Sequence, residues 1–146
     1  MDAMLAGKVA LVTGGGSGIG RAVCQQLGRL GAQVAAADLS LAGAQATVEQ
    51  MVAAGLAGAA YRVDVSSAEE VQAFVQAVCD RWGGIDVLAN TAGVYQVGGI
   101  DDIDEAAWDR MLDVNLKGAF LLCRAVVPVM SSRGGGAIVN LSSTSR

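Results

Sequence analysis

The sequence predicts an α/β fold, a doubly wound parallel sheet with strand order 3-2-1-4-5. Three observations carry that prediction. Short apolar runs alternate with longer segments of helical periodicity along the whole chain, the pattern of strands covered on both faces by crossover helices. The first run ends at Thr13 in a string of glycines that leads directly into a helical pattern. Five strands and four intervening helices joined by right-handed crossovers then leave 3-2-1-4-5 as the order.

Val9–Val12 is the first run, with two β-branched residues and no charge. From Gly18, the residues Ile19, Ala22, Val23, Gln26, Leu27 and Leu30 recur at helical spacing, and Gly31 follows as a C-cap. Gln33–Ala37 is the second strand and Leu41–Ala54 an alanine-rich helix. Gly55 to Gly58 turns the chain into a third strand, Ala59–Val63. Ser66 or Ser67 caps a helix that runs through Arg81, with Glu69 and Glu70 in the first turn, where their charge suits the helix dipole. Val71, Phe74, Val75 and Val78 line its inner face. Ile85–Ala89 is the fourth strand, and a glycine-containing loop through Tyr95 and Gln96 runs to Asp104. That loop reads either as the border of a substrate pocket or as plain surface. Asp104 or a near neighbour opens the longest helical pattern, carrying Trp108, Met111, Leu112, Leu116, Phe120, Cys123 and Val127. Gly134 to Gly136 then turns into a fifth strand, Ala137–Leu141.

A chain of 146 residues is expected to form one domain, 1–146, burying about two-thirds of its unfolded surface. The hydrophobic fraction of 53% against 16% charged residues argues for a filled interior and against disorder. The uncharged apolar stretches are too short to cross a bilayer, so no membrane role is expected. Met1 to Gly7 does not read as a secretion signal, because Asp2 is acidic and the following apolar run soon ends in glycines. A cytoplasmic location is the resulting expectation. Cys24, Cys79 and Cys123 are odd in number and lie within helical patterns, which favours buried thiols over disulfides or metal ligands. The chain has no histidine, which removes histidine-based triads and the usual zinc sites; no metal site is expected. A net charge of −4 without a Lys/Arg cluster makes nucleic acid an unsuitable partner.

Chemistry concentrates at the glycine string. A helix N-terminus carries unpaired N–H groups and partial positive charge, and residues without a Cβ let a diphosphate approach that backbone. The spacing rules out two common loops. After Gly14-x-Gly16 the third position on is Ile19, so GxGxxG is not satisfied, and Arg21 stands where a Walker loop needs Gly-Lys-Ser/Thr. The alternative is a glycine-rich turn with no ligand. Asp38 ends the second strand 18 residues beyond Gly20, the distance at which an acid meets the adenine ribose hydroxyls; the other reading is a cap on the next helix. Leu39 and Ser40 follow it, and Ser17 leaves the glycine loop without a basic residue to pair a 2′-phosphate. NAD is therefore favoured over NADP. Asp64 and Val65 end the third strand, either as a carboxylate and an amide reading an adenine edge or as turn residues.

Thr13-Gly14-x-x-x-Gly18-Ile19-Gly20 resembles the TGxxxGIG loop of the short-chain dehydrogenase/reductase family. Asn90-Thr91-Ala92-Gly93 resembles that family's NNAG motif with threonine at the second place, and IVNLSS resembles its catalytic-serine strand. The resemblance covers nearly the whole chain and implies a Rossmann-type sheet binding a nicotinamide dinucleotide. It assigns cofactor contacts to Gly14, Ser17, Gly18, Ile19, Gly20, Asp38, Leu39, Asp64, Val65, Asn90, Ala92 and Gly93. It also gives Ser143 the reacting oxygen of the substrate, and Asn115 a water in a proton relay. The alternative for Asn115 is a buried mid-helix amide satisfied by a partner in the core.

The resemblance reaches only the front part of the family, which continues into a Tyr-x-x-x-Lys helix. The two tyrosines, Tyr61 and Tyr95, have Val65 and Gly99 four residues on, and the lysines are Lys8 and Lys117. A hydride exchange with a carbonyl needs a proton partner near neutral pH, and Ser143 has no neighbouring base to become one. The expectation is an NAD-dependent oxidoreductase of a secondary alcohol or ketone in truncated form, an incomplete domain with little turnover. The alternative is a non-catalytic NAD-binding or interaction module. Either way, the unpaired fifth strand and the face of the Trp108 helix are expected to seek a partner by self-association.

Overall fold

The computed structural model describes residues 3–143; Met1, Asp2 and residues 144–146 lie outside it. Five parallel strands form one sheet in the order β3-β2-β1-β4-β5, as predicted. They are β1 (Val9–Thr13), β2 (Gln33–Asp38), β3 (Gly58–Arg62), β4 (Val87–Asn90) and β5 (Ala137–Asn140). The helices are α1 (Gly18–Arg29), α2 (Leu41–Ala53), α3 (Ala68–Trp82), α4 (Glu105–Leu112) and α5 (Gly118–Ser132).

Alternation along the strands builds two cores. Val9 and Leu11 of β1 point to the side covered by α3 and α5, where Phe74, Val78, Leu122 and Val126 are buried. Ala10 and Val12 point to the other side, against Cys24 of α1 and Met51 of α2. Of the β2 alanines, Ala36 faces this second layer and Ala35 and Ala37 the first. Both faces of β1 are thus dry, which explains a continuous apolar run where a one-sided strand would alternate.

Three expectations need correction. In α1 the buried positions are Gly20, Cys24 and Gly28, whereas Ile19 is 60% exposed. Small residues let this helix lie close to the sheet and to α2, since a Cβ at Gly28 would already press on Met51 and Leu56. The fourth strand runs Val87–Asn90; just before it Asp86 donates its N–H to Val9 C=O and accepts from Ala137 N–H, while its side chain accepts from Val9 N–H. The longest helix is not uniform. Asp113–Lys117 widens into a π-helical turn between α4 and α5, and Asn115 sits in it, exposed instead of buried. The whole stretch Glu105–Ser132 is long and apolar enough to cross a bilayer by length and composition, but Leu122, Val126 and Met130 belong to the core beneath the sheet.

Caps follow side-chain chemistry. Ser67, not Ser66, caps α3 by accepting from Glu70 N–H (3.3 Å), Ser40 caps α2, and Asp104 caps α4. Gly31, at φ 96°, closes α1 by donating to Gly28 C=O, and Ala32 donates to Leu27 C=O. The three cysteines are free; burial pushes the Cys24 thiol up to about 12.

Candidate functional site

All five strands end at one edge of the sheet, where Ala37, Thr13, Asn90 and Asn140 fall in one row across β2, β1, β4 and β5. Chain order reverses between β1 and β4, and a cleft opens there above the strand ends. Its floor is the glycine loop. Gly14 turns the chain at φ 65°, and a Cβ there would meet the Ala92 backbone at 2.9 Å. A Cβ on Gly20 would overlap the Gly14 carbonyl, and one on Gly16 would strike the Asp38 carboxylate at 2.8 Å. Gly18 has φ 49° and open space where its Cβ would be.

The loop is held from behind. Arg21 donates to Gly16 C=O and, through Nε, to the Thr47 hydroxyl (3.0 Å), which donates to Gly15 C=O (2.8 Å). Loop carbonyls are thereby engaged away from the cleft, while Ser17, the N-cap residue of α1, makes no capping bond with its hydroxyl and no acid occupies the first turn. The first-turn N–H groups and the positive end of α1 remain available to an anion.

The cleft has a volume of about 350 Å³. The structure brings Gly14, Ser17, Gly18, Ile19 and Gly20 together with Asp38 and Leu39 behind β2, Asp64 and Val65 behind β3, and Ala92 and Gly93 behind β4. Asp38 is not a helix cap: its Oδ2 accepts from Gly16 N–H (2.9 Å) and its Oδ1 from Ser40 N–H (2.9 Å). Two backbone donors therefore fix a negative charge in the cleft wall beside the glycine loop.

Asp64 is held differently. Its Oδ1 accepts from Ser66 Oγ (2.6 Å) and Ser66 N–H (3.0 Å), and its Oδ2 faces Arg110 Nη1 at 3.5 Å. The Ser66 hydroxyl, against some desolvation and with help from Ser66 N–H and Arg110, keeps this carboxyl below the usual carboxylate value. The Asp64 N–H is taken by Glu70 Oε2 (2.8 Å), so a backbone donor at this corner has to be that of Val65, whose N–H has no partner among the described residues.

Three assigned residues lie elsewhere. Asn90 does not line the cleft; its Nδ2 donates to Asn140 Oδ1 (2.7 Å) and ties β4 to β5 behind it. Asn115 spends its amide on Val94, accepting from its N–H (2.8 Å) and donating to its C=O (2.9 Å), which pins the start of the 94–103 loop. Ser143 is exposed, three residues past β5, and does not line the cleft. Sequence reasoning missed Thr91 and Arg110, which do line it. Thr91 sits inside a motif already singled out, and its hydroxyl donates to Thr13 C=O. Arg110 reaches back across 46 residues, and no local pattern announces it.

The sequence model of the short chain dehydrogenases matches residues 8–146. The chain belongs to this family. A D-threitol dehydrogenase from Mycolicibacterium smegmatis is 44% identical over 97% of the chain and 55% of that protein. A galactitol 2-dehydrogenase from Agrobacterium fabrum is 39% identical over 93% of the chain and 52% of that protein. Among solved structures, a short-chain dehydrogenase/reductase from Burkholderia xenovorans superposes with a TM-score of 0.92 at 43% identity, covering 96% of the chain and 57% of that structure. A metagenomic short-chain oxidoreductase in complex with NADP superposes at 0.93 with 38% identity, over 97% of the chain and 65% of that structure. The chain thus spans about half the length of the curated short-chain dehydrogenases it matches.

Proposed function

We propose that this chain forms the cofactor-binding part of an NAD-dependent short-chain dehydrogenase acting on a secondary alcohol or ketone. The observation that carries the cofactor choice is Asp38, whose carboxylate is locked by Gly16 and Ser40 N–H groups in the cleft wall. A fixed acceptor suits the two hydroxyls of an adenine ribose and repels a 2′-phosphate. Arg21, the nearby cation on α1, is spent on Gly16 and Thr47.

The chain's residues fit a dinucleotide. Gly14, Gly16 and Gly20 stand where a Cβ would strike backbone or Asp38, and Gly18 opens directly to the cleft. The N–H groups at the start of α1, with the free Ser17 hydroxyl, would hold the diphosphate, a field effect of roughly 0.3–1 kcal/mol reinforced by direct hydrogen bonds. Asp64 and Val65 would meet the base, and Ala92 and Gly93 would pass close to the second ribose. Bound there, a nicotinamide dinucleotide supplies the hydride acceptor or donor. Ser143 would donate to the substrate oxygen. Because these 146 residues contain no Tyr-x-x-x-Lys, we assign them binding without appreciable turnover. The polyol names of two relatives make a secondary hydroxyl of a polyol the first substrate class to test.

Fluorescence titration with NADH and NADPH tests the reading. NADH is expected to bind at least tenfold more tightly, and Asp38→Asn to narrow that gap by weakening NADH. Equal affinities in the parent chain would refute the NAD assignment. Self-association is proposed on separate grounds. Trp108 (53%), Leu116 (68%) and Phe120 (58%) are exposed along α4 to α5, and β5 is an edge strand of the sheet among the described residues. Sedimentation should find a dimer or larger species, and a stable monomer would count against this part.

A further inference from the structure

The corner of the cleft formed by Asp64, Ser66 and Arg110 has chemistry that the glycine loop and Asp38 do not explain. Arg110 stands on α4 and lines the cleft. One nitrogen, Nη1, reaches both Asp64 Oδ2 (3.5 Å) and Ser66 Oγ (3.4 Å). The Ser66 hydroxyl accepts from Arg110 and therefore turns its own proton to Asp64 Oδ1, at 2.6 Å. Oδ1 is then saturated by two donors from Ser66, one hydroxyl and one N–H. Oδ2 has only the long contact to Arg110, so its lone pairs are the ones left open. An ionised carboxylate accepts and cannot donate. Next to it, the Val65 N–H is unpaired among the described residues. An acceptor beside a donor is complementary to the amino edge of an adenine and mismatched to a base bearing a carbonyl at that place.

We infer that Arg110 is a positioning residue for base selection: it holds Asp64, directly and through Ser66, so that Oδ2 accepts from the amino group of the cofactor's base. The inference rests on the cofactor reading above and deepens it. Glu70 and Arg62 pair with each other at 2.9 Å, and Glu70 holds the Asp64 N–H. That leaves Arg110 as the cation lining the cleft that orients the Asp64 carboxylate.

The test uses NADH and its reduced hypoxanthine counterpart, which carries a carbonyl in place of the amino group. Nicotinamide fluorescence reports binding of both. The parent chain is expected to favour the adenine form about tenfold. Arg110→Met should bring the two within about threefold by weakening NADH, Arg110→Lys should restore most of the preference, and Ser66→Ala should act in the same direction as Arg110→Met. Circular dichroism establishes that each variant is folded. An unchanged preference in Arg110→Met overturns the inference. So does an equal loss for both nucleotides, which would mean that the guanidinium stacks on the base instead of steering Asp64. Should the parent chain bind neither nucleotide, the cofactor reading itself fails, an outcome distinct from either of these.

Discussion

Gly18 and Gly20 lie two residues apart in the same loop and are glycine for different reasons. Gly18 has φ 49° and nothing within reach of an added Cβ, so alanine there pays only for the left-handed backbone, about 1–2 kcal/mol. Gly20 has ordinary backbone geometry, but an added Cβ would overlap the Gly14 carbonyl and press on the Thr91 hydroxyl at 2.7 Å. Gly20→Ala therefore has to move β1's exit or the β4 loop, with a cost of about 3 kcal/mol or more. Thermal denaturation should rank the two variants in that order, and NADH should stabilise Gly18→Ala less than the parent chain, because the added Cβ stands in the cleft. The reverse ranking would mean that the loop is held less tightly than its contacts indicate. The spacing of these glycines was readable from the sequence because both belong to one local motif. The tie behind them was not, since Arg21 meets Thr47 across 26 residues, and neither was the Arg110–Asp64 pair at the β3 corner, 46 residues apart; only tertiary packing joins each.

At the scale of elements, strand order and helix type were legible, because each apolar run and each helical stripe is long enough to declare its period. The interruption at Asp113–Lys117 was not. Leu112, Leu116 and Phe120 keep a helical spacing through it, and that pattern conceals a widened turn. The mark it did leave was Asn115, a poor mid-helix residue, whose amide turns out to clasp both polar groups of Val94. Replacing Asn115 by leucine removes a donor and an acceptor at once and leaves the Val94 N–H and C=O to water. Hydrogen exchange at Val94 and its neighbours should then accelerate by about tenfold, following a loss of about 1–1.5 kcal/mol in local opening, while the β1 and β2 amides stay protected. Asn115→Asp keeps the acceptor for Val94 N–H and should show a smaller effect. Equal acceleration across the sheet would instead make Asn115 a residue of the global core.

Taken whole, the molecule has one end of its sheet open for a ligand and the other fastened by a buried charge. At the fastened end, Asp86 Oδ2 accepts from Val9 N–H (2.9 Å) and faces Arg133 (3.5 Å), while Oδ1 meets Lys8 (3.3 Å). Arg133 also donates to Gly83 C=O (3.1 Å), so one carboxylate links the starts of β1 and β4 to the ends of α3 and α5. Burial opposes the charged form of Asp86, but the Val9 N–H, Lys8 and Arg133 together outweigh it, and the carboxyl is held below its usual value. In the unfolded chain an aspartate titrates at about 3.9. A depressed folded value means that its contribution to stability is fully present above that pH and is lost as pH falls through the folded value. Asp64 and Glu70 are shifted in the same direction and act with the same sign. Asp86→Asn should cost about 1–3 kcal/mol at pH 7, since the charge behind the Val9 bond and the attraction to two cations are lost together, although the amide oxygen can still accept from Val9 N–H. Urea unfolding at pH 7, 5 and 3 should find that deficit undiminished at pH 5 and shrinking at pH 3, where the parent begins to lose the same charge. A deficit that stays constant down to pH 2 would show that the carboxylate's charge is not what fastens this end, leaving shape and hydrogen bonding alone to hold it.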